Sequence, residues 1–169
     1  MESVTSSGKA VVTLPTETQI LITREFDAPK HLVYRAVTEP ELIKQWWSGQ
    51  RGNVTSAEVD LREGGTWRYV MMANEGFEVA FHGTFREIVP EVRTVSTEVF
   101  EGVPQIGLPG SDEEGTLNTM TLEEIDGRTR LTVLVECHTP EVRDAIIESG
   151  MEVGMQEAYD KLEQVAQSL

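Results

Sequence analysis

The residues of this sequence that could carry chemistry are few, and their spacing does not favour catalysis. The three histidines, His31, His82 and His138, show none of the HxH, HxxxH or HExxH spacings that bring two imidazoles to one metal ion. Cys137 directly precedes His138, and neighbouring residues of a strand point to opposite faces, so the thiol and the imidazole cannot easily act together. We therefore predict no metal site and no catalytic residue, and we interpret Cys137 as a small buried apolar residue.

Two groups of charged residues are further candidates. Asp60 and Arg62 would share one strand face, with Arg68 across a hairpin. We interpret them as cross-strand charge pairs, and an oxyanion-binding site is the alternative. Asp112, Glu113 and Glu114 resemble paired carboxylates, but a glycosidase-type pair needs a fixed separation, which this Gly/Pro-rich loop does not promise. The loop 101–115 is better interpreted as a lid.

Aromatic and methionine side chains are the stronger candidates, because they suit an apolar binding site. The pair Trp46-Trp47 could roof a cavity and stack on a planar ligand, or lock a short helix onto the sheet; we favour the second role. Side chains at alternating strand positions, and at helical spacing near the C-terminus, are predicted to line a cavity. This predicted set is Trp46, Trp67, Tyr69, Met71, Val79, Phe81, Phe85, Met151, Met155 and Tyr159.

These side chains need a framework, and the first part of the chain predicts a strand followed by two helices. Gln19–Phe26 alternates as a strand does. Asp27 and Thr38 stand where N-caps of two short helices are expected, each followed by a proline near the helix start. Gln50–Ser56 is predicted to be a polar loop.

The rest of the chain predicts a strand meander and a closing helix. Gly64-Gly65 and Asp126-Gly127 are two-residue hairpin signals. Thr139-Pro140 opens a final helix with a single apolar stripe that continues to Leu169. Gly150 and Gly154 lie inside that helix pattern and would loosen or bend it or leave room beside the sheet. The order β-α-α-β-β-β-β-β-β-α predicts an α+β arrangement with a cleft between sheet and helix.

Composition limits the classes of partner. The 169 residues suggest one domain, residues 18–169, after a polar extension, residues 1–17, of which Ala10–Leu14 could join a sheet edge. The net charge of −15 argues against nucleic acid and anionic membranes as partners. No apolar run is long enough to span a bilayer, no secretory signal is recognised, and one cysteine fits a reducing compartment, so we expect a cytoplasmic protein.

Several short motifs in this order resemble the SRPBCC (START-like, helix-grip) superfamily, and more narrowly the family of the C-terminal domain of activators of heat-shock-protein ATPase. The resemblance covers about Gln19 to Leu169 and implies a helix-grip fold: a curved antiparallel sheet of six to seven strands wrapped around a long C-terminal helix, with two short helices between strands 1 and 2. The matching residues are Arg24, Phe26, Asp27-Ala28-Pro29, Val33, Ala36, Thr38, Pro40-Glu41-Leu42, Trp46-Trp47, Asp60, Arg62, Gly64-Gly65, Trp67, Gly83, Glu87 and Thr129-Arg130-Leu131-Thr132.

Members of the superfamily resemble one another in enclosing a hydrophobic cavity, which implies a small hydrophobic or aromatic ligand and no cofactor. A cyclase- or hydrolase-type enzyme, with Tyr69, Arg68 or a cavity-facing carboxylate as acid or base, is one alternative. A co-chaperone or protein-interaction module is another, and a weak homodimer stays open. The chain has Gly154-Met155 where relatives often carry Gly-Trp, so a ligand inferred from those relatives does not transfer.

Overall fold

The computed structural model describes residues 9–101 and 115–169. Its helices and strands follow one another in a β-β-α-α-β-β-β-β-β-β-α-α order. They are β1 (Val11–Thr13), β2 (Gln19–Phe26), α1 (Lys30–Thr38), α2 (Pro40–Trp46), β3 (Gly52–Val59), β4 (Thr66–Ala73), β5 (Glu78–Val89), β6 (Arg93–Glu101), β7 (Thr116–Ile125), β8 (Arg128–Glu136), α3 (Pro140–Glu148) and α4 (Met151–Gln167).

The strands form one antiparallel sheet in the order β1-β2-β8-β7-β6-β5-β4-β3. The curved sheet, the two short helices after β2 and the C-terminal helix confirm the predicted α+β helix-grip fold. In the described part of the chain the sheet has eight strands, because β1, from the segment Ala10–Leu14, pairs with β2 at the edge. No helix in the described ranges is both long and apolar enough to cross a bilayer.

The first hairpin of the meander differs from its prediction. Gln50–Ser56 is not a polar loop throughout, since β3 begins at Gly52 and pairs with β4 along its length. Its outward positions are polar, which hid the strand. The turn is also longer than two residues: it runs from Asp60 to Gly65, where the Gly65 amide donates to the Arg62 carbonyl at 2.8 Å.

The two short helices are where they were expected, but their predicted caps are wrong. The N-cap positions are Pro29 and Glu39, and neither makes a side-chain cap hydrogen bond. Thr38 instead closes the end of α1, where its hydroxyl donates to the Tyr34 carbonyl at 2.7 Å. The backbone amide of Asp27 donates to the carboxylate of Glu163 on α4, so this residue ties the helix start to the C-terminal helix.

The predicted single final helix is divided into α3 and α4. Thr139 caps α3 as predicted, its hydroxyl accepting from the Val142 amide at 3.1 Å. Gly150 has φ of +86°, in the left-handed region that ends a helix and favours glycine. The apolar stripe continues across this break, which is why the sequence pattern did not show it.

The main core lies beneath the C-terminal half of α4. Leu162 and Ala166 of α4 are fully buried there, with Phe26 of β2 and Val33 of α1. Ile43 of α2 completes the contact with the short helices. The N-terminal half of α4, which carries Met151 and Gly154, lines a cavity instead.

Candidate functional site

A cavity of about 1000 Å³ lies between the inner face of the sheet and the N-terminal half of α4. Inward side chains of β2 and of β4 to β8 form most of its wall, and α2, α3 and α4 close it. The volume is at the upper end of the range that small-molecule sites usually have. The concave face and the broken C-terminal helix therefore enclose a cavity of the kind that the resemblance implies.

The structure brings all ten sequence-predicted cavity residues to this wall. Those on the strands alternate with outward residues, and those on α4 follow one helical face. Whether they contact a ligand stays a prediction. They are Trp46, Trp67, Tyr69, Met71, Val79, Phe81, Phe85, Met151, Met155 and Tyr159.

The two adjacent tryptophans have different roles. Trp46 is buried, and its indole N–H donates to the Ala36 carbonyl at 2.8 Å, which locks α2 onto α1. Trp47, which was not in the predicted set, makes edge contacts with Tyr69 and Phe81 at centroid distances of 5.4 and 5.2 Å. The Trp47 ring therefore belongs to the aromatic wall of the cavity, whereas the Trp46 indole is held by the backbone of α1.

Aromatic rings continue along the wall from Trp47. Trp67 and Tyr69 lie 4.6 Å apart between ring centroids, and Phe81 and Phe100 lie 5.0 Å apart with their planes at 60°. Such tilted and edge-to-face pairs stabilise each other beyond simple burial. The result is a rigid aromatic surface on one side of the cavity.

A polar strip crosses the apolar wall on the opposite strands. Ser96 and Glu98 of β6 lie opposite Asn118 and Thr116 of β7 in the sheet register, and all four line the cavity. The Asn118 amide donates to Glu98 Oε1 at 2.9 Å, and the Thr116 hydroxyl donates to Asn118 Oδ1 at 3.1 Å. The chain thus orients one carboxyl group inside the cavity.

Sequence reasoning did not single out Glu98. The signal was present, because Glu98 alternates in phase with Phe100, a residue on an apolar face. An acidic residue on the buried face of a strand is unusual unless it is paired. The prediction instead treated this segment as an ordinary strand.

Burial sets the electrostatics of this carboxyl. Desolvation raises the pKa of Glu98, and the hydrogen bond from Asn118 lowers it only in part. Burial likewise raises the pKa of Tyr69 well above its ordinary value and the pKa of Tyr159 to about 12, and the nearby charge of Glu98 adds to both shifts. Both phenols therefore stay protonated, and neither hydroxyl makes a hydrogen bond within the described ranges.

A second charged group lies where α4 begins. Arg51 packs against Gly154, and its Nε is 3.8 Å from Glu157 Oε1. That carboxyl oxygen is buried and has no hydrogen-bond partner among the described residues. Arg51 itself is about half exposed, so it lies at the rim of the cavity.

The other candidates from the sequence are placed away from the cavity. Arg62 pairs with Asp60 inside the turn at 2.9 Å, and Arg68 pairs with Glu101 at 3.0 Å, so the predicted pairing across the hairpin is wrong. Outside 1–8 and 102–114, no cluster of three or more His, Cys, Asp or Glu could hold a metal ion. The predicted lid falls mostly on 102–114, outside the described residues.

The histidines and the cysteine have structural surroundings. His82 contacts Glu101 on the outer face, and His138 lies just after β8 with a positive φ of 71°, rather than in the strand. His31 is exposed on α1, as expected. Cys137 is buried, and burial raises the pKa of its thiol to about 11, which keeps it protonated and unreactive.

This fold and cavity agree with a family comparison. The model of the family described as Activator of Hsp90 ATPase homolog 1-like protein matches residues 27–167, and the chain belongs to this family. Its fold is one that commonly binds ligands. Among curated proteins, no significant match is found.

Solved structures show the same fold over nearly the whole chain. A protein from Rhodobacter sphaeroides is 27% identical, with a TM-score of 0.83, and the match covers 95% of this chain and 99% of that one. A protein from Nitrosomonas europaea is 27% identical, with a TM-score of 0.78, over 92% and 97% of the two chains. DynU16, from the dynemicin biosynthetic locus, is 19% identical, with a TM-score of 0.63, and the match covers 89% of this chain and 47% of that one; it shows the fold alone.

Proposed function

We propose that this protein binds a small hydrophobic or aromatic molecule in the cavity between its sheet and α4. The observation that carries the proposal is a volume of about 1000 Å³ whose wall is mainly aromatic, aliphatic and methionine side chains. Packed protein interiors leave few voids larger than a water molecule. An apolar space of this size has the character of a ligand site.

The form of the wall supports the same conclusion. Trp47, Tyr69 and Phe81 hold one another in edge contacts, so the aromatic surface exists before a ligand arrives. Met151 and Met155 lie on α4, where their flexible side chains can adapt to ligands of different outline. A rigid surface facing an adaptable one limits the entropy lost on binding.

A pair of matched substitutions tests this proposal. Val79 lines the cavity and is 7% exposed, whereas Val153 is 56% exposed on α4. Val79→Trp should fill part of the cavity and weaken binding of the neutral fluorescent probe Nile red by roughly tenfold or more, and Val153→Trp should leave it unchanged. Circular dichroism of both variants checks that the fold is kept.

Thermal-shift screening of the unmodified protein provides a second test that needs no variant. A panel of aromatic metabolites, fatty acids and hydrophobic amines should contain compounds that raise the unfolding temperature, because a ligand that binds only the folded state stabilises it. If no compound stabilises the protein and Nile red does not bind, the proposal is wrong.

The surroundings of Glu98 support one further candidate function, that of a cyclase- or hydrolase-type enzyme. A carboxyl group with a raised pKa can act as a general acid at neutral pH, and the hydroxyls of Tyr69 and Tyr159 are close enough to feel its charge. Catalysis would show as turnover of a bound compound that Glu98→Gln abolishes without abolishing its binding. If binding compounds are recovered unchanged after long incubation, the binding role stands alone.

A further inference from the structure

Glu98 is a carboxyl group to which the chain supplies no positive partner. Within the described ranges its hydrogen bond comes from the neutral amide of Asn118, and no cation contributes to its pKa. Residues 1–8 and 102–114 contain no lysine, arginine or histidine, so no basic side chain there can neutralise it either. Glu98 is partly exposed towards the cavity that it lines, and carboxylates removed from bulk water in this way are ordinarily paired.

The rest of the cavity wall is also short of positive charge. Its charged residues in the described ranges are Glu75, Glu98 and Glu157 against Arg51. Arg51 faces Glu157 rather than Glu98. With a formal excess of two negative charges, the wall repels an anionic ligand such as a fatty-acid carboxylate and attracts a cation.

Aromatic side chains line the same cavity as this carboxyl. Tyr69 from the sheet and Tyr159 from α4 share the cavity wall with Glu98, and its negative charge adds to the raised pKa of both phenols. Tyr69 extends into the cluster with Trp47 and Trp67. Ring faces attract ammonium groups, and the attraction grows when the site is desolvated.

We propose that the cavity binds a hydrophobic amine, with its ammonium group against Glu98 and its apolar body along the aromatic and methionine wall. This inference rests on the proposed binding function and names the class of ligand. The ammonium provides the positive charge that Glu98 lacks in the protein, and its N–H groups donate hydrogen bonds to the carboxylate. Without that cation, burial favours the neutral carboxyl, as the raised pKa of Glu98 indicates.

Two probes that differ only in their polar group separate charge from hydrophobic contact. Biphenylmethylamine and biphenylmethanol share one apolar body, and only the amine is cationic at neutral pH. Isothermal titration calorimetry on the unmodified protein should show roughly tenfold or tighter binding of the amine, because ion-paired hydrogen bonds are stronger than neutral ones. Biphenylacetic acid, an anion of similar shape, should bind most weakly.

A substitution at Glu98 then assigns this preference to one residue. Glu98→Gln keeps the size and hydrogen bonding of the side chain but removes its charge, so the amine should lose roughly tenfold in affinity and the alcohol should change by less than about twofold. Glu124→Gln is the matched control, since Glu124 is exposed on β7 and its loss changes the net charge equally. This control should keep the preference for the amine.

The outcomes separate this inference from the proposed function. Equal binding of the amine and the alcohol, or an unchanged preference in Glu98→Gln, overturns the amine inference while the cavity remains a binding site. Failure of all three probes and of Nile red to bind overturns both. If Glu98→Gln does not fold, the order of amine, alcohol and acid on the unmodified protein still decides the inference.

Discussion

Arg24 and Glu98 are two charged groups inside the same sheet, and the chain treats them in opposite ways. Arg24 on β2 is fully buried, and α4 supplies Asp160 at 2.8 Å and Glu163 at 3.3 Å, while its guanidinium lies 4.8 Å from the Phe26 ring centroid. Among residues 9–101 and 115–169, Glu98 on β6 has only the neutral amide of Asn118 as a partner. The charge of Arg24 is neutralised within the fold and holds the C-terminal helix. The charge of Glu98 faces the cavity.

The difference suggests how to separate structural from functional polar groups in this fold. A buried charge with partners on another element stabilises the docking of that element, so its loss should weaken folding. A partly buried charge that faces a cavity without a partner destabilises the empty protein, and its retention indicates a use outside folding. Substitutions at the two sites should therefore change stability in opposite directions.

The largest effect is expected at the paired site. Arg24→Met should lower the free energy of unfolding by about 2 to 3 kcal/mol, because it leaves Glu163 half-buried without its partner; the value is below that of a fully buried pair since Asp160 is 56% exposed. Arg35→Met, at the exposed pair with Glu39, is the control and should change stability far less. Equal costs in urea unfolding would show that Arg24 is not a structural charge.

The unpaired site should show a smaller effect that depends on pH. The pKa of Glu98 is higher in the folded than in the unfolded state, so its contribution favours folding below the unfolded pKa and is lost as pH rises through the folded pKa. Glutamine does not titrate. Glu98→Gln should therefore gain stability relative to the unmodified protein as the pH is raised from about 5.5 to about 8.5.

Urea unfolding at both pH values measures this gain. Glu124→Gln is again the control, and its difference in stability from the unmodified protein should be the same at the two pH values. A Glu98→Gln variant that is less stable than the unmodified protein at the higher pH would contradict an unpaired carboxyl. It would instead indicate that the ionised form of Glu98 is stabilised by the fold, as Arg24 is.

Two glycines at the start of α4 allow a similar comparison, with smaller expected effects on stability. Gly150 has φ of +86°, so the backbone requires it, and Gly150→Ala should cost about 1 kcal/mol. Gly154 is within the helix, and an added Cβ would meet only the Arg51 side chain, at 3.4 Å from Nε. Gly154→Ala should therefore raise stability by up to about 1 kcal/mol in thermal unfolding.

Binding separates the two explanations for Gly154. If Gly154→Ala is more stable and also binds Nile red less well, the missing side chain leaves room for a ligand. A loss of stability in this variant would show that the helix packing itself needs the glycine.

The sequence predicted most of the fold because its signals were local. Alternation defined Gln19–Phe26 at its observed bounds, and Thr139-Pro140 marked the start of α3. Where the signal was weak, prediction failed: β3 has polar outward residues that read as loop, and the apolar stripe runs across Gly150 without a break. At Gly150, the positive φ of one residue interrupts the helix although the apolar helical pattern continues.

The candidate site was predictable only in its apolar part. Trp67, Tyr69 and Phe81 follow from strand alternation, since aromatic residues on an inward face must meet the space under the helix. Glu98 was missed because its meaning depends on its neighbours, Asn118 across β7 and Tyr159 on α4, which are distant in sequence. Periodicity can be detected within one segment of the sequence. Contacts between strands and helices depend on residues that are far apart in the sequence.

A crystal structure of the protein with biphenylmethylamine tests the role of Glu98 most directly. We expect the biphenyl group to lie between Trp47 and the methionines of α4, and the ammonium to lie within hydrogen-bond distance of Glu98. An amine bound with its nitrogen at Arg51 and Glu157, or outside the cavity, would contradict the assignment of Glu98 as the open half of an ion pair.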